Sequence, residues 1–215
     1  MMLHNKTILL GVAGGPLTWL AVDVLRELQR AGARVHVVLS TETETFVSAL
    51  TFQTLAGEEV LSADALYGEV VGSHFRSLAH VVRNADAMLV VPATPALLAK
   101  AATGCADETL VRALLLHRGP TMVAFPGQSI EYQHTLVQQN LKRLRDAGIS
   151  LYDKGIPETD TATDILEWSL SPREIVTAMA DCLHETDALA GKILLVTAGP
   201  TQEPIDPVRH ISNRS

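Results

Sequence analysis

Thr7-Ile-Leu-Leu-Gly11-Val-Ala-Gly14-Gly15-Pro16-Leu17-Thr-Trp19-Leu20 is the stretch that decides the fold. Thr7 to Val12 is a short apolar run of strand length, and the glycines and proline after it break the chain sharply. Leu17, Leu20, Ala21, Val24, Leu25, Leu28 and Ala31 then recur at the spacing of one helix face until Gly32 stops the helix. A strand that passes through a glycine-rich turn into a helix is the opening unit of a doubly wound α/β sheet. Glycine lets the backbone come close to an anion, and the positive end of the following helix favours one. The spacing does not meet the dinucleotide fingerprint G-x-G-x-x-G, so a mononucleotide site and a plain strand-to-helix turn both stay open.

Outward from this unit the alternation continues. Val35 to Leu39 reads as a strand, and Thr41 with Glu44 three residues on predicts a capping box for a short helix through Ala49. Ala87 to Val91 is a buried strand, Ala96 to Ala102 a helix, Asp107 to His117 another, and Thr121 to Phe125 a strand again. Leu136, Val137, Asn140, Leu141 and Leu144 mark a further helix face ahead of strand Ile149 to Tyr152. Ser171-Pro172-Arg173-Glu174 opens a last helix to about His184 with an N-cap serine and a proline at the first helical position. The expected fold is a three-layer, doubly wound, mostly parallel α/β sheet of Rossmann-like (flavodoxin-like) type over residues 1–186. Its ligand belongs beyond the carboxyl ends of the strands. Ile193 to Val196 then starts a new strand that runs into a Gly-Pro turn at Gly199, so residues 187–215 read as the start of a second nucleotide-binding domain.

Composition narrows the class. Of 215 residues 47% are apolar, but charges and glycines interrupt them before any run reaches the roughly 18 of a membrane span. The start goes straight into a strand with no signal-peptide pattern. A net charge of −7 and the absence of a basic stripe argue against a nucleic-acid partner. Two cysteines, Cys105 and Cys182, make neither a disulfide framework nor a zinc site, so no metal is expected and the cytoplasm is the expected compartment.

Several strand-end segments together resemble the flavin-containing cysteine decarboxylases. They are the glycine loop, Val37-Val-Leu-Ser40, Leu50-Thr51-Phe-Gln-Thr-Leu-Ala-Gly57, Val91-Pro-Ala93-Thr94 and Gly104-Cys-Ala106-Asp107-Glu108. The resemblance covers nearly all of residues 5 to 185 and implies FMN as cofactor. It puts Gly14 and Gly15 near the phosphate end, Ser40 in a hydrogen bond to the flavin, and Thr51, Ala93, Thr94, Ala106 and Asp107 among the cofactor-binding positions. His74, in Gly72-Ser-His74-Phe-Arg-Ser-Leu, falls where the family keeps its active-site histidine. An imidazole titrating near neutrality suits proton transfer or carboxylate orientation. The other seven histidines read as surface or structural. The tail is similar to the start of phosphopantothenate–cysteine ligase, which would make Gly199 and Asn213 remnants of its nucleotide site. The family's assemblies imply a homotrimer or a dodecamer built from trimers.

Two departures from the family pattern matter for chemistry. Phe125-Pro126-Gly-Gln128-Ser-Ile-Glu131 stands where a Pro-x-Met-Asn substrate motif is expected, and Gln128 offers an amide one methylene longer than asparagine. Residues 155–172 lack the flap cysteine thought to return a proton in the reductive half of the cycle. The resemblance therefore implies FMN-dependent decarboxylation of 4′-phosphopantothenoylcysteine to 4′-phosphopantetheine. An FMN-binding but catalytically silent scaffold for a ligase half is the alternative. Flavin prenyltransferases share the fold, but their serine after the glycines is missing here. Trp19 and Trp168 are read first as core residues, with Trp19 a second-choice cover for the flavin.

Overall fold

The computed structural model describes residues 2–62, 78–127, 130–153, 171–184, 202–204 and 209–212. Within the first 185 residues, which form one compact unit, five strands make a parallel sheet. They are β1 (Thr7–Val12), β2 (Arg34–Leu39), β3 (Ala87–Val90), β4 (Thr121–Ala124) and β5 (Ser150–Tyr152). Their order across the sheet is β2-β1-β3-β4-β5. This is the flavodoxin-like order, in which the winding reverses between β1 and β3. Leu61 extends the edge beyond β2 through backbone bonds to Val37 and Leu39.

Strand alternation explains the two cores. Ile8, Leu10 and Val12 face one side of the sheet, where α1 (Thr18–Arg30) and α8 (Pro172–His184) bury Leu25, Leu28, Ile175 and Met179 against them. Leu9, Met88, Val90 and Val123 face the other, covered by α3 (Leu78–Arg83), α4 (Pro95–Thr103), α5 (Thr109–Leu116) and α7 (Thr135–Asp146). A sheet buried on both faces needs inner strands that are apolar at nearly every position, as β1, β3 and β4 are, while the edge strand β5 is only partly buried. Gly11 belongs to the second face, and a Cβ there would lie 2.5 Å from a methyl of Leu110. The missing side chain is what lets α5 settle onto β1.

Local sequence differs from expectation in three places. Thr41 caps no helix: its N–H donates to the Glu108 carboxylate, a short 3-10 turn occupies Thr43–Thr45, and α2 (Ala49–Ala56) begins later under Ser48, whose hydroxyl accepts from Leu50 N–H at 3.2 Å. The capping box loses because the Thr41 N–H that Glu44 would accept goes to Glu108 instead, while the neighbouring Thr43 hydroxyl donates inward to the Val12 carbonyl at 2.8 Å. A one-turn helix, α6 (Ile130–Gln133), precedes α7, and the α7 core face runs through Val137, Leu141 and Leu144, leaving Leu136 63% exposed. Trp19 is 43% exposed, which corrects its reading as a core residue. It sits at the second position of α1, whose buried stripe passes through Leu20, Val24 and Leu28 instead.

Residues 186–215 form a second unit, in which β6 (Gln202–Pro204) pairs antiparallel with β7 (His210–Ser212). Gly199, Asn213 and the expected strand Ile193 to Val196 lie outside the described residues, as does Trp168. Among the described residues no helix is long and apolar enough to cross a membrane.

Candidate functional site

The carboxyl ends of β1 and β3 meet at the point where the sheet reverses its winding, and their loops are joined there by the Ala13 N–H donating to the Pro92 carbonyl at 3.3 Å. In doubly wound sheets this crevice is where ligands bind. Two helix N-termini, those of α1 and α4, open beside it. Their first-turn N–H groups have no partner within the helix and carry partial positive charge.

The β1 side is built from backbone and hydroxyls. The Gly14 N–H donates to Ser40 Oγ at 2.9 Å, and Ser40 Oγ lies 3.1 Å from Thr43 Oγ1. The Gly15 N–H donates to Thr18 Oγ1 at 2.8 Å. Thr18 in turn reaches the carbonyls of Ala13 and Gly15. A Cβ on Gly14 would sit 2.4 Å from the backbone carbonyl carbon of Glu42, so position 14 has room for no side chain. A Cβ on Gly15 would make an ordinary contact, 3.4 Å from Thr94 Cγ2 across the crevice. Ser40, expected to bond a ligand, is buried here and bonded to Gly14 and Thr43, so within this structure it braces the loop.

The β3 side is built from strand-like backbone and one phenol. The Ala93 N–H donates to the Ala124 carbonyl at 3.0 Å, and the Ala93 carbonyl accepts the Tyr132 O–H at 2.5 Å. Thr94 caps α4: its Oγ1 accepts from Leu97 N–H at 3.3 Å and Pro95 follows at the first helical position. Ala93 is buried and Thr94 half-buried beside Gly15.

The remaining expected positions spread outward. Thr51 is an exposed residue of the first turn of α2. Ala106 is half-buried and Asp107 exposed in the loop between α4 and α5, where Lys100 Nζ lies 3.2 Å from Asp107 and 3.4 Å from Glu108. Partial burial works against the Lys100 charge, but the hydrogen bond to Asp107 and the nearby Glu108 outweigh it and raise the ammonium pKa. Glu108, nearly buried, also accepts the Thr41 N–H at 3.3 Å and so ties this loop to the end of β2. His74 and Gln128 lie outside the described residues. Among the described residues no group of three or more His, Cys, Asp or Glu side chains could hold a metal ion.

Thr18, Thr43 and Tyr132 have no assigned role in the sequence, and Glu108 enters there only as the end of the Gly104–Glu108 match. A threonine at the first helical position after a glycine loop is a legible signal for Thr18. Thr43, Glu108 and Tyr132 depend on partners 31, 67 and 39 residues away, which no local pattern reveals.

The site fits a mononucleotide phosphate in kind: a loop without side chains, two helix N-termini and small residues facing across a crevice. The profile of the Flavoprotein family matches residues 1–184, and that of the DNA/pantothenate metabolism flavoprotein C-terminal domain matches residues 189–215. The coenzyme A biosynthesis bifunctional protein CoaBC of Mycobacterium tuberculosis is 38% identical over 215 residues, covering 98% of this chain and 50% of the relative. The Haemophilus influenzae CoaBC is 33% identical over 218 residues, covering 100% of this chain and 53% of the relative. This chain thus spans about half the length of these curated relatives. Among solved structures, the FMN-dependent cysteine decarboxylase TvaF from thioviridamide biosynthesis superposes with a TM-score of 0.67 at 19% identity, covering 84% of this chain and 99% of that one. A PPC decarboxylase mutant complexed with pantothenoylaminoethenethiol gives 0.59 at 19%, covering 74% and 86%. At that identity the likeness establishes the fold.

Proposed function

The chain belongs to the Flavoprotein family, and from that membership we propose that it binds FMN at the β1/β3 crevice and decarboxylates 4′-phosphopantothenoylcysteine to 4′-phosphopantetheine. The observation that carries this reading is the alignment with CoaBC over 98% of the chain, which takes in both the family match at residues 1–184 and the tail match at residues 189–215.

Gly14 and Gly15 would stand at the phosphate end, Gly15 leaving space on the crevice side and Gly14 letting the Glu42 backbone close in behind the loop, with the α1 N-terminus supplying favourable charge. Ala93 and Thr94 would line the opposite wall, and Thr51, Ala106 and Asp107 the outer rim. When bound, FMN supplies a two-electron acceptor for the thiol-bearing carbon of the substrate, which makes loss of CO2 easy. His74 would orient the carboxylate or move a proton, and Gln128 would offer an amide to the substrate. Residues 1–186 would form the decarboxylase unit and 187–215 the opening of the ligase unit, with Gly199 and Asn213 at its nucleotide site. A homotrimer or dodecamer in the cytoplasm is the assembly this reading implies.

A silent FMN-binding scaffold is favoured by one specific observation. The sequence lacks both the Met-Asn pair after β4 and a cysteine in residues 155–172.

Mass spectrometry of 4′-phosphopantothenoylcysteine incubated with the purified chain and FMN separates the two. A product lighter by CO2 is expected, and its hydrogen count reports whether reduction proceeds without a flap cysteine. Unchanged substrate beside a chain that holds FMN would overturn the decarboxylase reading in favour of the scaffold. His74→Asn is expected to lower turnover by orders of magnitude while flavin absorbance stays, and retained turnover would remove His74 from the mechanism.

A further inference from the structure

We propose that Tyr132 is a positioning residue for the cofactor: its phenol O–H fixes the Ala93–Thr94 peptide so that the Thr94 N–H points into the β1/β3 crevice. This rests on the FMN reading above and deepens it.

The direction follows from strand alternation. In extended backbone the N–H and C=O of one residue point to the same side, and those of the next residue to the other. Pro92 directs its carbonyl toward β1, where it accepts the Ala13 N–H. Ala93 directs its N–H toward β4, to the Ala124 carbonyl, and its own carbonyl accepts the Tyr132 O–H. The peptide between Ala93 and Thr94 is trans, so the Thr94 N–H opposes the Ala93 carbonyl and faces β1, the crevice side. In the parallel ladder the Ala93 carbonyl would next accept from position 126, but Pro126 has no N–H, and the phenol takes the place of that missing donor.

Tyr132 is itself held. Its ring stacks on Phe125 with centroids 5.3 Å apart and 16° between planes. Gln138 Nε2 donates to its carbonyl at 2.7 Å, and Gln133 Nε2 donates to Gly127 at 2.7 Å. Burial, with the charge of Glu131 adding to it, pushes the phenol pKa well above its ordinary value, so the group stays a donor. Phe125 and Gly127 belong to the segment that stands in place of the substrate motif, and Tyr132 follows it directly. The phenol therefore links the substrate-side segment to the cofactor-side loop through one hydrogen bond.

The test is an FMN titration followed by quenching of flavin fluorescence, on the full chain as wild type, Tyr132→Phe and Leu144→Ala. Tyr132→Phe keeps the ring and removes the donor, leaving the Ala93 carbonyl free to turn. It is expected to weaken FMN about tenfold. Leu144→Ala truncates the core in α7 without touching the loop, and is expected to lower the thermal midpoint more while leaving FMN affinity within about twofold. Equal affinity in wild type and Tyr132→Phe overturns the proposal alone, as do losses of affinity that merely follow thermal stability in both variants. A wild-type chain without affinity for FMN overturns the cofactor reading and this proposal with it.

Discussion

The two loops that flank the crevice reach the same end by opposite means. The β1 loop takes its shape from what is missing: Gly14 lies so close to the Glu42 backbone that no Cβ fits, and short hydroxyls from Ser40, Thr43 and Thr18 fill its hydrogen bonds. The β3 loop takes its shape from what is present, a ladder bond to Ala124, a phenol on Ala93 and a threonine cap on α4. The first wall should therefore break by collision and the second by loss of a hydrogen bond. A steric constraint is nearly all-or-none, whereas a hydrogen bond has a graded cost.

The largest effect that tests this contrast is Gly14→Ala, which must push the Glu42 backbone aside and is expected to destabilise by about 3 kcal/mol in urea unfolding. Its partner control is Gly15→Ala. Neither glycine has positive φ, and the Gly15 Cβ meets only Thr94 Cγ2 at 3.4 Å, so the cost there should stay below about 1 kcal/mol. Equal costs at the two positions would end the steric account.

Thr43→Val comes next, keeping the buried shape but removing the bonds to Val12 and Ser40. About 1.5 kcal/mol of stability should go, with a shift in the Gly14 amide resonance as Ser40 reorients. Thr94→Ala removes the α4 cap on the other wall and should cost about 1 kcal/mol, whereas Thr94→Ser should restore most of it.

Lys100→Met is the smallest, below about 1 kcal/mol and fading with added salt, because the lysine and Asp107 are solvent-accessible. Its pH dependence has a definite sign. The folded state raises the lysine above its ordinary 10.5, so its contribution is fully present below that value and disappears as pH climbs through the raised one. A wild-type advantage that grew with pH above 10.5 would contradict the ion cluster.

Legibility followed the range of the forces involved. Strands β1 to β4 could be read from apolar runs that burial on both faces writes into consecutive residues, the partly buried edge strand β5 from the short run Ile149 to Tyr152, and α1 and α8 from their periodicity and start signals. Thr41 and Glu44 matched a capping pattern, yet Glu108, 67 residues from Thr41, takes the N–H that Glu44 would have accepted. Trp19 failed for a different reason: its size suggested burial, while its place on α1 put it beside the stripe that packs. At the crevice, glycines and small residues at strand ends were visible in the sequence. That Gly14 and Ser40 bond each other, and that Tyr132 reaches Ala93, arises only once the sheet order brings those loops together.

The close approach at Gly14 also bears on how this site would look in a set of related sequences. The atoms that exclude a Cβ there include the main-chain carbon and oxygen of Glu42, which every residue type carries. Position 42 is therefore free to drift in side-chain identity while position 14 is not. Contact inference from co-varying columns detects pairs that change together. A pair in which one partner cannot change and the other need not would leave no such trace, although it is among the tightest contacts in the fold.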